Sequence, residues 1–139
     1  MYQYFHYHNP VRIKLSDYPE LPASEAIYKI EQSYSKNPDY NYISGYIYAI
    51  GHSTEAFNSK LVLYNDNLEY AYYYNLSMVE RPDLLSETDI TNYTYCGFER
   101  DLDIRILKSD NLKIGFLINI DNTMMLIKTN QPYSIVETP

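Results

Sequence analysis

Residues 103–129 read DIRILKSDNLKIGFLINIDNTMMLIKT. Within them Ile114, Phe116, Ile118 and Ile120 alternate with Lys113, Gly115, Leu117 and Asn119, the period-two pattern of a strand. Leu117 interrupts the polar set, so the second face is expected to be partly covered. Asp121 and Asn122 tolerate the left-handed backbone of a tight turn. Beyond that turn Met124 and Leu126 fall on one face, Met125 and Ile127 on the other. Upstream, Ile104 and Ile106 alternate with Arg105 and Leu107, and Ser109-Asp110-Asn111 offers another turn. A lone hairpin is marginal in water, so three consecutive antiparallel strands are predicted. Ile104/Ile106 and Met124/Leu126 are the expected neighbours of the Ile114–Ile120 face.

Working outward, residues 42–50 (YISGYIYAI) form a second strong strand pattern. Tyr42, Ser44, Tyr46 and Tyr48 share one face; Ile43, Gly45, Ile47 and Ala49 share the other. The small residues at 45 and 49 mark places where something large packs close. Residues 61–64 and 68–74 read as a hairpin around Asn65-Asp66-Asn67. Val11, Ile13 and Leu15 alternate with Arg12 and Lys14, and residues 2–7 suit a first strand. Between these lies an expected helix over about residues 23–35, from Ala23 to Ser35. Ala23, Ala26, Ile27, Ile30 and Tyr34 recur at helical spacing, Glu25 and Lys29 make an i,i+4 pair, and Asn37-Pro38 stops the run. Residues 77–94 form a long connection with a short helical turn near Pro82. The predicted class is therefore α+β: an antiparallel sheet of roughly six to eight strands, curled toward a barrel, with one main helix on one face.

A chain of 139 residues reads as one domain, 1–139. Eleven basic against eighteen acidic residues leave a formal charge of −7, unlike the concentrated positive footprint of a direct nucleic-acid binder. It suits a protein that presents carboxylates to a basic partner. The single cysteine, Cys96, excludes an intramolecular disulfide, and no histidine stands near it in sequence to activate it. No apolar run approaches the ~20 residues of a spanning helix, and the first ten residues lack a basic, apolar leader pattern. A cytoplasmic location, that of the host cell if the source is viral or a mobile element, is the resulting expectation. With four glycines in the chain there is no glycine-rich phosphate loop.

Tyrosine is the compositional outlier: 18 of them against 4 phenylalanines and no tryptophan. Tyr46 and Tyr48, set beside Tyr70, Tyr72 and Tyr74 of the hairpin, would build a tyrosine ladder, a surface type suited to partners. Glu87, Asp89, Asp101 and Asp103 supply carboxylates around it. The favoured expectation is a non-catalytic interaction protein, in its most specific form a small acidic inhibitor or immunity-type protein that occupies a basic, nucleic-acid-handling target, with a homodimer as a second partnership. The alternative is a metal-dependent hydrolase or nuclease. Glu99, Asp101 and Asp103 alternate, so a strand would place all three on one face, where Mg²⁺ or Mn²⁺ could bind, with His52 as a base. His6 and His8 form a weaker ligand pair. A self-assembling structural subunit is the third reading. No resident cofactor is expected under the first.

Overall fold

The computed structural model describes residues 10–51, 59–84, 96–105, 107 and 111–134. They form nine strands: β1 (Val11–Lys14), β2 (Ala26–Asn37), β3 (Tyr40–Ala49), β4 (Lys60–Tyr64), β5 (Tyr70–Asn75), β6 (Ser77–Val79), β7 (Gly97–Asp103), β8 (Lys113–Ile120) and β9 (Thr123–Pro132). One sheet has the order β1-β5-β4-β8-β9, the other β2-β3-β7-β6, and every pairing between these strands is antiparallel. Helical structure among the described residues is limited to single 3₁₀ turns at Leu15–Asp17, Ala23–Glu25 and Pro82–Leu84. The architecture is thus nearly all β, in two layers, and the α+β expectation is overturned.

The expected helix is the source of that error. Only Ala23–Glu25 makes a turn; from Ala26 the chain runs extended as β2. Ala26, Tyr28 and Ile30 stand opposite Ala49, Ile47 and Gly45, after which Ser33 stands opposite Ile43. The register slips between Ile30 and Gln32, so Glu31 is the extra residue of a β-bulge. That bulge lengthens the inward step from two residues to three. The helical stripe instead combined the two faces of this strand, Ala26 and Ile30 turned inward and Ile27 and Tyr34 turned outward, in a segment whose β-branched and aromatic residues suit a strand. Ile27, placed in the helical stripe, is instead 41% exposed.

The β8–β9 hairpin forms as expected, with Asp121 and Asn122 both at positive φ (51° and 68°). Its two-residue turn sets Phe116 opposite Ile127 and Ile118 opposite Met125. Met125 and Ile127, not Met124 and Leu126, therefore line the Ile114–Ile120 face. The third strand of the predicted meander is also corrected. β8 pairs on its other edge with β4, while Ile104 and Leu107 only flank the core and Asp103 ends β7 in the opposite sheet. The 61–74 hairpin is present as β4–β5.

The main core lies between the layers. Ile43, Ile47, Phe98 and Leu102 of the second sheet meet Leu61, Leu63, Ile114, Phe116 and Ile118 of the first, all 2% exposed or less. Phe116 is its aromatic centre, 5.7 Å from the rings of both Tyr28 and Phe98. The first sheet is apolar on its other face as well, through Ile13, Val62, Tyr64, Ala71, Leu117 and Leu126. Leu15 and Tyr18 of the β1–β2 connection pack over it. The connection then reaches the far edge, where Leu126 donates to the Pro19 carbonyl and accepts from the Leu21 amide at 2.8 and 2.9 Å. So, among the described residues, the first sheet packs apolar side chains on both faces, and the outward face of the second sheet is where polar and aromatic side chains gather. No helix among the described residues is long and apolar enough to cross a membrane.

Candidate partner-binding face

Alternation decides which side chains reach the outward face of the second sheet. On β3 these are Tyr40, Tyr42, Ser44, Tyr46 and Tyr48, because Ile43, Gly45, Ile47 and Ala49 point into the core. The register sets Ser44 opposite Glu99, Tyr42 opposite Asp101 and Tyr40 opposite Asp103. The two predicted features, a tyrosine row and a carboxylate row, are therefore adjacent. Tyr34 of β2 extends the aromatic surface, its ring 5.1 Å from that of Tyr42.

The proposed ladder is broken up. β5 belongs to the other sheet, so Tyr70, Tyr72 and Tyr74 lie in a different layer from Tyr46 and Tyr48. Tyr74 is 1% exposed and donates to the Asp103 carbonyl at 2.8 Å. Burial raises its pKa. Tyr72 is half-buried, and Tyr70 is exposed beneath the Arg12 guanidinium, 3.8 Å from its ring centre. On β3, Tyr48 is buried beside Cys96, and burial pushes that thiol up to about 11. The accessible half of the face is the other one: Tyr34, Tyr40, Tyr42 and Ser44 are half-buried and Glu99 is exposed. Tyr34, Tyr40 and Tyr42 were not among the expected contact residues, although the alternation that carried Tyr46 and Tyr48 runs straight through Tyr42. Glu87, Asp89, His6, His8 and His52 lie outside the described residues.

Each β7 carboxylate has a different partner. Asp103 is 4% exposed and takes a two-pronged contact from Arg105, Nη2 to Oδ2 at 2.7 Å and Nε to Oδ1 at 3.0 Å. Asp101 pairs with Lys36 at 3.1 Å across the sheet. Glu99 accepts from the Tyr42 hydroxyl at 3.0 Å. Burial, helped by this bond to Glu99, raises the Tyr42 pKa. Among the described residues no group of three His, Cys, Asp or Glu side chains is placed to hold a metal ion. The shared carboxylate face of the hydrolase reading exists, but its members are turned to tyrosine, lysine and arginine.

Arg81 closes one end of the face. It leaves the chain just after β6, passes over Gly97, stacks 5.5 Å from the Tyr46 ring, and bonds Glu31 of the β2 bulge (Nη2 to Oε2, 3.1 Å) and Asp83 (2.9 Å). A Cβ on Gly97 would sit 2.6 Å from the Arg81 Cγ, so glycine leaves the arginine its path. Beside it is a depression of about 210 Å³. Glu31, Gln32, Tyr42, Ser44, Arg81 and Glu99 surround it, over the backbone of Gly45 and Gly97.

The Arg105 contact holds the Asp103 carboxyl below its ordinary pKa. A depressed folded-state pKa contributes stability that is complete above the unfolded value and fades as pH falls through the folded one. Asp103→Asn is therefore expected to be less stable than the parent at pH 7, with the gap narrowing below about pH 4. Urea unfolding at pH 7 and pH 3 checks this; a gap of constant size would mean the ionised carboxylate contributes nothing.

Comparison of the chain with models of protein families, with curated proteins and with solved structures finds no match, so the functional reading rests on these residues.

Proposed function

We propose that this chain is a non-catalytic interaction protein that receives a basic partner on the Tyr34–Tyr42–Glu99–Asp101 region of its second sheet. The observation that carries the reading is the contrast between the two sheets. One has both faces filled by the chain itself, whereas the other turns half-buried tyrosines and a row of carboxylates outward. Tyrosines supply rigid contact area at low entropic cost, and carboxylates steer and select a cationic surface. The net charge of −7 acts in the same direction at longer range. In its most specific form the partner is a nucleic-acid-handling protein whose phosphate-binding groove these carboxylates occupy, as an inhibitor or immunity-type protein would.

The ion pairs within the face are compatible with that role. Lys36 and Asp101 are 44% and 38% exposed at their side chains, and an exposed pair of this kind is worth roughly 0–1 kcal/mol. A partner's cation exchanges for Lys36 at little cost. Asp103, buried on Arg105, is not available in this way, so Glu99 and Asp101 are the residues to reverse. The test is capture of partners from lysate by the full chain at low and moderate salt, then association kinetics with the captured protein. A basic partner should be weakened by salt, and Glu99→Lys/Asp101→Lys should slow its association about tenfold or more. An unchanged rate and salt response in the double variant would dismiss this face as the contact, and capture of only a second copy of the chain would replace the reading with self-assembly.

A further inference from the structure

The depression beside Arg81 offers more than a general acidic surface. Among the described residues, the carboxylates of Glu31, Asp83, Glu99, Asp101 and Asp103 stand on or beside this part of the sheet. Four are ion-paired within the chain: Asp101 with Lys36, Asp103 with Arg105, and Glu31 and Asp83 together with Arg81, whose single charge leaves that group one negative charge in excess. Of the five, Glu99 alone holds no cation among the described residues, accepting instead from a neutral tyrosine hydroxyl, and it is exposed at the rim of the 210 Å³ hollow. The groups around that hollow are weighted toward acceptors. They are the Glu99 and Glu31 carboxylates and the Gln32 amide oxygen, which takes the Ser44 hydroxyl at 3.2 Å. Tyr42 adds an aromatic wall. The positive charge of Arg81 is outweighed by the two carboxylates that share it, so it does not repel a second cation as a free arginine would.

We infer that this hollow is an anchor pocket for one arginine side chain of the basic partner, with the guanidinium on the Glu99 carboxylate against the Tyr42 ring. The inference rests on the docking face proposed above and names its central contact. Arginine fits better than lysine for two reasons. Its planar fork matches a carboxylate with two parallel N–H bonds, and its flat face stacks on an aromatic ring, whereas an ammonium offers a compact, strongly hydrated point charge. Arginine and tyrosine are also among the residues enriched at interface hot spots, which cluster in well-packed, desolvated pockets.

The test titrates the full chain, labelled for amide NMR, with a blocked tri-arginine peptide and a matched tri-lysine peptide at low salt. Saturable shifts centred on Ser44, Gly45, Gly97 and Glu99 are expected with the arginine peptide. Affinity should be at least about fivefold weaker for the lysine peptide and for Glu99→Gln titrated with the arginine peptide. Glu99 is exposed and Gln is isosteric, so the variant is expected to fold as the parent does. Equal binding of the two peptides, or an unchanged Glu99→Gln, overturns the pocket. Saturable shifts around Asp101 and Tyr34 that bypass the hollow also overturn it while leaving the docking face standing. No saturable shift anywhere on β3 or β7 removes both.

Discussion

Gly45→Ala is expected to cost about 3 kcal/mol or more, enough to leave much of a marginally stable domain unfolded. Gly45 faces Ile30 just before the Glu31 bulge, where the backbone of β2 bends in toward β3. A Cβ at this position would overlap the Lys29 carbonyl oxygen and lie 3.1 Å from the Phe98 ring. Neither neighbour yields cheaply. The carbonyl belongs to the sheet, and Phe98 is 2% exposed in the core. Gly51 provides the contrast: its φ is 81°, but a Cβ there meets nothing within 4 Å. Gly51→Ala should therefore cost only the left-handed backbone penalty, roughly 1 kcal/mol. Urea midpoints for the pair decide the matter. A Gly45→Ala loss no larger than that of Gly51→Ala would mean β2 does not approach β3 this closely.

Phe116→Ala should cost about 3–5 kcal/mol, the usual range for emptying an aromatic site in a core. The residue is fully buried and its ring meets Tyr28 and Phe98 from the opposite layer. Removing it deletes the contact that keys one sheet to the other, and the strands on either side are held in register, so the cavity cannot collapse. Phe116→Leu, which refills part of the volume, should recover more than half of the loss. A small, equal loss in both variants would show that the layers are not packed through this ring.

The pattern of alternation told which residues face inward within a strand, and there the reading held: Ile43, Ile47, Ile114, Phe116, Ile118 and Ile120 are all in the main core. It did not tell which sheet a strand joins. Tyr70, Tyr72 and Tyr74 alternate as cleanly as Tyr46 and Tyr48, yet the two sets lie in different layers, since sheet membership depends on long-range pairing with no local mark. The helix failed for a local reason. The stripe of Ala23, Ala26, Ile27, Ile30 and Tyr34 combined inward-facing Ala26 and Ile30 with outward-facing Ile27 and Tyr34, two sides of one strand that together mimicked a helical face. Asp101 and Asp103 were correctly placed on a common face by their spacing. Their unequal fates, one half-buried beside Lys36 and one buried on Arg105, depend on a neighbour two residues past Asp103 that turns back toward it.

The strand-like contact of Pro19 and Leu21 with Leu126 joins two parts of the chain more than a hundred residues apart. It fixes an order of assembly. The segment that covers the first sheet cannot dock until β9 exists, and β9 is the last strand described. During synthesis, then, Leu15 and Tyr18 wait without Leu117 and Leu126 of the cluster they pack against. Such non-local pairing must overcome loop-closure entropy before any contact repays it, which places refolding in the slow, millisecond-to-second range of sandwich-like proteins. A chain that leaves the ribosome with this apolar face uncovered is most exposed to misassembly before β9 has been made and paired.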